Sequence, residues 1–125
     1  MRLIIAGSRW VPVEEAYQMV CEAIGVSTAY FNNAQISQIV SGNNGGIDIA
    51  GEEWAKRRGI TCKLFPADWG AHGKAAGPIR NGLMAVYADA LLAIWDGMSG
   101  GTSDMIHKMN GRRKPVYVHM VKRDK

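Results

Sequence analysis

Five short apolar segments alternate along the chain with four segments whose apolar residues recur at helical spacing. The apolar segments fall at residues 2–6, 36–40, 60–65, 90–95 and 115–120, and the helical ones at 13–24, 47–58, 78–89 and 102–110. Such an alternation forms right-handed βαβ units with parallel strands, and strands apolar on both sides need helices on both sides of the sheet. The pattern predicts one Rossmann-like α/β domain with a five-stranded parallel sheet in the order 3-2-1-4-5.

The segments between these elements are short, with one exception. Gly25, Gly59 and Gly111 follow helical segments and are expected to end them. Residues 66–77 are polar and glycine-rich, and they show no periodicity. Because long loops without secondary structure tend to be functional, this segment is expected to contribute to a site.

The length and the cysteines indicate a single intracellular domain. A chain of 125 residues can bury a core that needs neither disulfides nor metals. It contains no apolar run near the ~18 residues that cross a membrane, and MRLIIAG does not resemble a signal peptide. Cys21 and Cys62 lack neighbours at metal-ligand spacing, which favours reduced thiols over a disulfide. We therefore expect a cytoplasmic protein over residues 1–125, with no metal, no cofactor and no membrane contact.

The net charge of +4 favours anionic partners, either nucleic acid or phosphate-bearing small molecules. Six cations lie near the C-terminus, namely Arg112, Arg113, Lys114, Lys122, Arg123 and Lys125. A solvated turn followed by a basic tail over about 121–125 explains this run better than a surface for nucleic acid.

Three glycine-rich loops each follow a predicted strand. Ligands of such sheets bind beyond the carboxyl ends of the strands, so the three loops are expected to lie together. Glycine lets backbone N–H groups approach an anion, and a helix N-terminus adds partial positive charge. The candidate ligand-binding residues in the loops are Gly7, Ser8, Arg9, Gly42, Asn43, Asn44, Gly45, Gly46, Asp48, Asp96, Gly97, Ser99, Gly100, Gly101, Thr102 and Ser103.

The polar members of this set have alternative roles. Ser8 and Arg9 can contact a phosphate, although a solvated Arg9 is an equally good explanation of that residue. Asp48 can accept a ribose hydroxyl or satisfy the end of its helix, and the second role is slightly favoured. Thr102 and Ser103 can cap a helix or contact phosphate.

Arg80 is expected in the first turns of a helix, where the dipole disfavours a cation. A compensating anion is therefore required. A ligand phosphate in bidentate geometry is favoured, and Asp68, Asp89 or Asp96 is the intramolecular alternative.

Three familiar motifs are absent or weak. Gly73-Lys74 lacks the rest of a P-loop, and no G-x-G-x-x-G follows the first strand. Gly97 to Gly101 fits G-x-S-x-G, with His107 or His119 as a possible base. Because no second acid is well placed and the chain is short for that hydrolase fold, a serine hydrolase is the weaker interpretation.

Longer motifs resemble the cpYpsA-related branch of the SLOG superfamily, nearly from end to end. The most specific are GKAAGPIRN at 73–81 with Met84, and GGTSDM at 100–105. They are accompanied by IIAGSR at 4–9, VSG at 40–42 through Asp48, GEEWA at 51–55 and FPADW at 65–69.

The resemblance implies a Rossmann-like fold that binds a nucleotide or a nucleotide-derived ligand, with Arg80 and Asn81 facing the site beside the 97–103 loop. Some relatives are phosphoribohydrolases, which carry a Glu three residues after the loop threonine. That position is Met105 here, and Met cannot stabilise an oxocarbenium-like state. Asp104 is adjacent but is expected to point about a third of a turn away. Binding or sensing is therefore favoured, with N-glycosidic hydrolysis and nucleic-acid binding as alternatives.

A homodimer or larger homo-oligomer is also expected. Apolar side chains cover more of one predicted helix than a single core-facing stripe needs, and the resemblance points the same way. They are Ile79, Leu83, Met84, Val86 and Tyr87.

Overall fold

The protein forms one five-stranded sheet in a computed structural model that describes residues 1–122. The strands are β1 (Arg2–Gly7), β2 (Gln38–Ser41), β3 (Thr61–Leu64), β4 (Ala90–Trp95) and β5 (Val116–Met120). All neighbouring pairs are parallel, and their order is β3-β2-β1-β4-β5. The predicted fold class and strand order are confirmed. Within the predicted basic tail, the Val121 N–H donates to the Trp95 carbonyl (2.9 Å), and residues 123–125 lie outside the described part.

Helices cover both sides of the sheet. They are α1 (Val13–Ser27), α2 (Gly46–Arg57), α3 (Trp69–His72), α4 (Ala76–Tyr87) and α5 (Gly100–Gly111), with a 3₁₀ turn at Gly73–Ala75. Because successive strand residues point to opposite faces, Ile5 packs with α1 and α2 while Ile4 packs with α4 and α5. Both faces of β4 are buried, which explains its continuous apolar sequence.

The predicted end of the first helix at Gly25 is wrong. Helix α1 continues to Ser27, since Gly25 is exposed and Ser27 and Thr28 both donate hydroxyl hydrogen bonds to the Ile24 carbonyl. The chain reverses later, at Asn32 and Asn33, which adopt positive φ. Asparagine tolerates that conformation better than most residues, so the turn needs no glycine.

Residues 66–77 were expected to lack secondary structure, and that expectation is also wrong. The segment contains α3, the 3₁₀ turn and the first two residues of α4. The Asp68 carboxylate caps α3 by accepting a hydrogen bond from the Ala71 N–H (3.0 Å). A single capped turn is too short to show a helical period, so its sequence resembles a loop.

No helix in residues 1–122 combines the length and the apolar character needed to cross a lipid bilayer. Cys21 on α1 and Cys62 on β3 are free thiols that pack, partly buried, against the core.

Candidate ligand-binding site

The loops after β1, β2 and β4 converge with α4 around a cavity of about 490 Å³. This volume lies within the roughly 300–1,000 Å³ of small-molecule sites. Eleven sequence-predicted site residues line it, namely Gly7, Arg9, Gly42, Asn44, Asp48, Arg80, Asn81, Ser99, Gly100, Gly101 and Thr102. The structure therefore brings residues from all three predicted loops to one place. Their contact with a ligand stays a prediction.

Seven further predicted residues do not line the cavity, namely Ser8, Asn43, Gly45, Gly46, Asp96, Gly97 and Ser103. Most of them shape the loops. Ser8 is fully buried, and its Oγ accepts a hydrogen bond from the Asp96 N–H (3.1 Å). Gly46 packs so closely on the Val11 carbonyl that a side chain would not fit, whereas Ser103 is exposed on α5.

Arg80 is the most constrained cation of the site, with 8% of its surface exposed. Its Nη1 donates to the carbonyls of Gly42 (2.7 Å) and Phe65 (3.4 Å), and its Nε donates to Asn81 Oδ1 (2.9 Å). A Cβ at Gly42 would lie 2.8 Å from Arg80 Cζ, so a side chain at this position would displace the guanidinium. The guanidinium is thus held by three neutral oxygen atoms.

The intramolecular ion pairs considered for Arg80 are not formed. Asp68 caps α3, Asp89 accepts from the Arg2 N–H (2.7 Å), and Asp96 organises its own loop. In the part of the chain that the structure describes, Arg80 has no ion-pair partner. Burial lowers the pKa of Arg80, and the charge of Asp48 partly offsets this effect.

Asp48 lies in the first turn of α2 and is also buried. Its Oδ2 accepts a hydrogen bond from the Asn44 N–H (2.9 Å), so it organises the loop and lines the cavity at the same time. Burial raises its pKa to about 7, although the Asn44 hydrogen bond and the Arg80 charge oppose the shift. The cavity therefore contains a carboxyl group that titrates near neutral pH.

Asp104 was expected to point away, but it lines the cavity together with Met105. Its Oδ2 accepts from Asn81 Nδ2 (3.0 Å) and its Oδ1 from Lys108 Nζ (2.6 Å). The cavity wall is wide enough to include both positions, although they lie about 100° apart on the helix. Sequence reasoning set this carboxylate aside because neighbouring helix positions point in different directions, and it took only the direction of Met105 to face the site.

Asp96 organises the loop after β4. Its Oδ1 accepts from the N–H groups of Met98 and Ser99 (2.8 Å each), and its Oδ2 accepts from Trp10 Nε1 (2.7 Å) and Ser99 Oγ (3.1 Å). Burial alone would raise the pKa of Asp96, but these hydrogen bonds together hold it below its usual range. Ser99 is thus hydrogen-bonded to the Asp96 carboxylate. Neither His107 nor His119 lines the cavity, so the cavity does not contain the paired serine and histidine of a serine hydrolase.

Helix α5 begins at the cavity with Gly100 and Gly101. A Cβ at either glycine would meet no atom within 4 Å, and the N-cap residue Ser99 makes no side-chain hydrogen bond to the helix. The first N–H groups of a helix lack partners within that helix. The α5 N-terminus therefore offers accessible backbone donors and partial positive charge to the cavity.

The remaining lining residues were not predicted, namely Ala6, Trp10, Trp69, Gly77, Pro78, Met84, Asp104 and Met105. Trp69 belongs to the motif FPADW, which carried the family resemblance but no assigned role. In residues 1–122 there is no group of three or more His, Cys, Asp or Glu side chains that could hold a metal ion.

The sequence profile of the YspA, cpYpsA-related SLOG family (YAcAr) matches residues 1–72 of the 125-residue chain. This segment runs from β1 through α3, and it contributes Arg9, Gly42, Asp48 and Trp69 to the cavity. A search of curated proteins gave no match. With its Rossmann-like fold and a matched segment covering more than half of its length, the protein belongs to the YspA, cpYpsA-related SLOG family.

Proposed function

We propose that the protein binds a phosphorylated nucleotide or nucleotide-derived small molecule in this cavity. The observation that carries the proposal is Arg80, a cation that is buried, held in place and lacking an ion-pair partner among the described residues. Burying a charge without a directly paired counter-charge is costly. Asp48 interacts with Arg80 without forming an ion pair, so a ligand anion lowers that cost further. Three hydrogen bonds fix the guanidinium through Nε and Nη1, which leaves Nη2 for the ligand.

Other groups of the cavity complement such a ligand. Arg9 and the α5 N-terminus add positive potential, and Asp48 and Asp104 add carboxylates. A carboxylate accepts hydrogen bonds from hydroxyl groups, which a ribose supplies. The mixture of cations and acceptors fits a sugar phosphate better than a simple anion.

Two measurements test the proposal. Purified protein is heat-denatured, and the released small molecules are identified by mass spectrometry, where we expect a phosphorylated nucleoside derivative. Stripped protein is then titrated with nucleoside monophosphates by calorimetry. If no phosphorylated compound co-purifies and no nucleotide binds at millimolar concentration, the proposal is wrong.

N-glycosidic hydrolysis is a second candidate, favoured by the presence of Asp104 in the cavity wall. Both carboxylate oxygens already accept hydrogen bonds, from Asn81 and Lys108, and Met105 adds no acid. A carboxylate held in this way is a poor base, so we expect cleavage to be absent or very slow. Chromatographic detection of free base over many turnovers from nucleoside monophosphates would establish the hydrolase.

Nucleic-acid binding has less support. Arg112, Arg113 and Lys114 follow the C-terminal end of α5, whereas the cavity lies at its N-terminal end. Lys114 Nζ donates to the carbonyls of Ala85, Val86 and Ala88 and so stabilises the end of α4. At least one cation of this cluster therefore has a structural role away from the cavity.

A further inference from the structure

Trp69 is a large apolar side chain that the fold leaves half uncovered. Its exposed fraction is 50%, although tryptophan is usually well buried. The ring lies against Gly77, where a Cβ would be 3.4 Å from Trp69 Cη2. Its helix α3 is capped by Asp68. An exposed indole that rests against a glycine presents its remaining surface to whatever enters beside it.

This surface belongs to the same cavity as Arg80. Gly77, against which the indole rests, precedes Arg80 by three residues on α4, and residues three apart lie on one face of a helix. The aromatic ring and the cation are therefore offered by adjacent turns of one wall. Gly77 and Pro78 add nonpolar surface between them.

We infer that Trp69 is the stacking surface for the base of the ligand, which is therefore a nucleotide that retains its base, with purines preferred. The inference rests on the proposed function, because it assigns the base end of a ligand whose phosphate lies toward Arg80. Aromatic rings stack on every base, and the larger purine offers more area. Trp10 also lines the cavity, but its indole N–H is committed to Asp96 and its ring is less exposed.

The experiment compares two probes, one with a base on the sugar and one with a hydroxyl group in its place. Adenosine 5′-monophosphate and ribose 5-phosphate are titrated by calorimetry into the wild type, Trp69→Leu and Trp69→Phe. The control variant is Tyr30→Leu, which removes an equally exposed aromatic ring (52%) before β2, at the opposite edge of the sheet. Thermal melts report whether each variant is folded.

Stacking on one aromatic ring is worth roughly a 5- to 160-fold change in affinity. We expect Trp69→Leu to weaken the nucleotide by this factor and leave ribose 5-phosphate unchanged, while Trp69→Phe and Tyr30→Leu stay near the wild type. The wild type should also bind the nucleotide more tightly than ribose 5-phosphate. Upfield shifts of the adenine H2 and H8 resonances should occur with the wild type and disappear with Trp69→Leu.

Four results would overturn the inference. Equal wild-type affinity for both probes would show that the site binds the phosphate but that the base does not stack on Trp69. Unchanged nucleotide affinity in Trp69→Leu would show the same. Equal weakening of both probes in Trp69→Leu would give Trp69 a general structural role. Binding of neither probe by the wild type would reject the inference, and the proposed function is rejected with it if no phosphorylated compound co-purifies and no other nucleotide binds.

Discussion

Single residues in this protein are fixed by contacts with residues far away in the sequence. Arg80 takes the space that a side chain at Gly42 would fill, and its hydrogen bonds reach Gly42 and Phe65. Asp48 is held locally by the Asn44 N–H, but it also lies close enough to the distant Arg80 for their charges to interact. Two predictions concern these two charged residues.

Replacement of Arg80 should affect ligand binding more than folding. Arg80→Lys keeps a charge but loses the planar guanidinium that binds the protein through Nε and Nη1 while offering Nη2 to the ligand, so it should weaken nucleotide binding. Arg80→Ala should weaken it further, by roughly 1.5–3 kcal/mol for a charge-assisted contact. Calorimetry and thermal melts measure the two effects separately. If both variants lose stability while keeping their affinity, Arg80 is only a structural residue.

Asp48 should make the protein less stable as the pH rises toward neutrality. Its pKa is about 7 in the folded state, against 3.8 for an unperturbed aspartate. Between pH 3.8 and pH 7 the folded state therefore holds a proton that the unfolded state has lost. Unfolding free energy then falls with rising pH, and the loss is complete above about pH 7. Asp48→Asn keeps an acceptor for the Asn44 N–H and removes the cost of ionising a buried carboxyl group.

We therefore expect Asp48→Asn to gain stability over the wild type from pH 4 to pH 7, by on the order of 3 kcal/mol, and to show no further gain above pH 8. Urea unfolding at several pH values measures the difference between the two proteins, which cancels the titration of other groups. If the unfolding free energies of the two proteins change with pH in parallel, Asp48 ionises with an ordinary pKa.

At the scale of elements, the site consists of helix N-termini at one edge of the sheet. Helix α5 starts with two glycines that have open space around them, while α2 starts with Gly46, which packs on Val11. The two glycine-rich starts therefore differ in function. The first is shaped for access from the cavity, and the second is shaped for close packing inside the protein.

Gly101→Val should block the approach of a phosphate to the α5 backbone and leave the fold intact. The new side chain would enter open space, and valine is no worse than glycine in a helix. Gly111→Val is the matched control, because it makes the same change at the other end of α5, also in open space. We expect at least a tenfold loss of nucleotide affinity for Gly101→Val alone; equal affinity in both variants would make the loop a mere connector.

At the scale of the whole molecule, the outer surface of α4 is incompletely covered. Ile79, Leu83 and Val86 are 45%, 57% and 57% exposed, and their spacing places them along one side of the helix. Met84 belongs to the core, and the half-buried Tyr87 ring packs against Phe65. The apolar residues that suggested an oligomer thus divide between the core and an exposed stripe.

We expect this stripe to be covered by a second copy of the chain in a homodimer. Leu83→Glu should place a charge in the interface and produce a monomer, as measured by light scattering at micromolar concentration. Val26→Glu, at a valine of similar exposure on α1 (55%), is the control and should leave the dimer intact. A wild-type monomer at this concentration would contradict the prediction.

The fold could be predicted from the sequence because it depends on regular, local signals. The apolar segments at 90–95 and 2–6 identified β4 and most of β1, and the handedness of βαβ units then left few possible strand orders. The same reasoning located the edge of the sheet where the site lies. The predicted end of α1 was less accurate because the helix ends and the chain turns without a glycine, at Ser27 and Asn32.

The sequence by itself thus determined the sheet, its order and the three loops beside the cavity, because apolar periodicity and chain handedness act over short distances. Only the tertiary structure decided which loop residues face the cavity. Arg80 meets Gly42 across 38 positions, and Trp69 rests on Gly77. The placement of Asp104 beside Asn81 is decided in the same way. Such contacts depend on how separate helices pack, and no local pattern records the direction in which a packed side chain finally points.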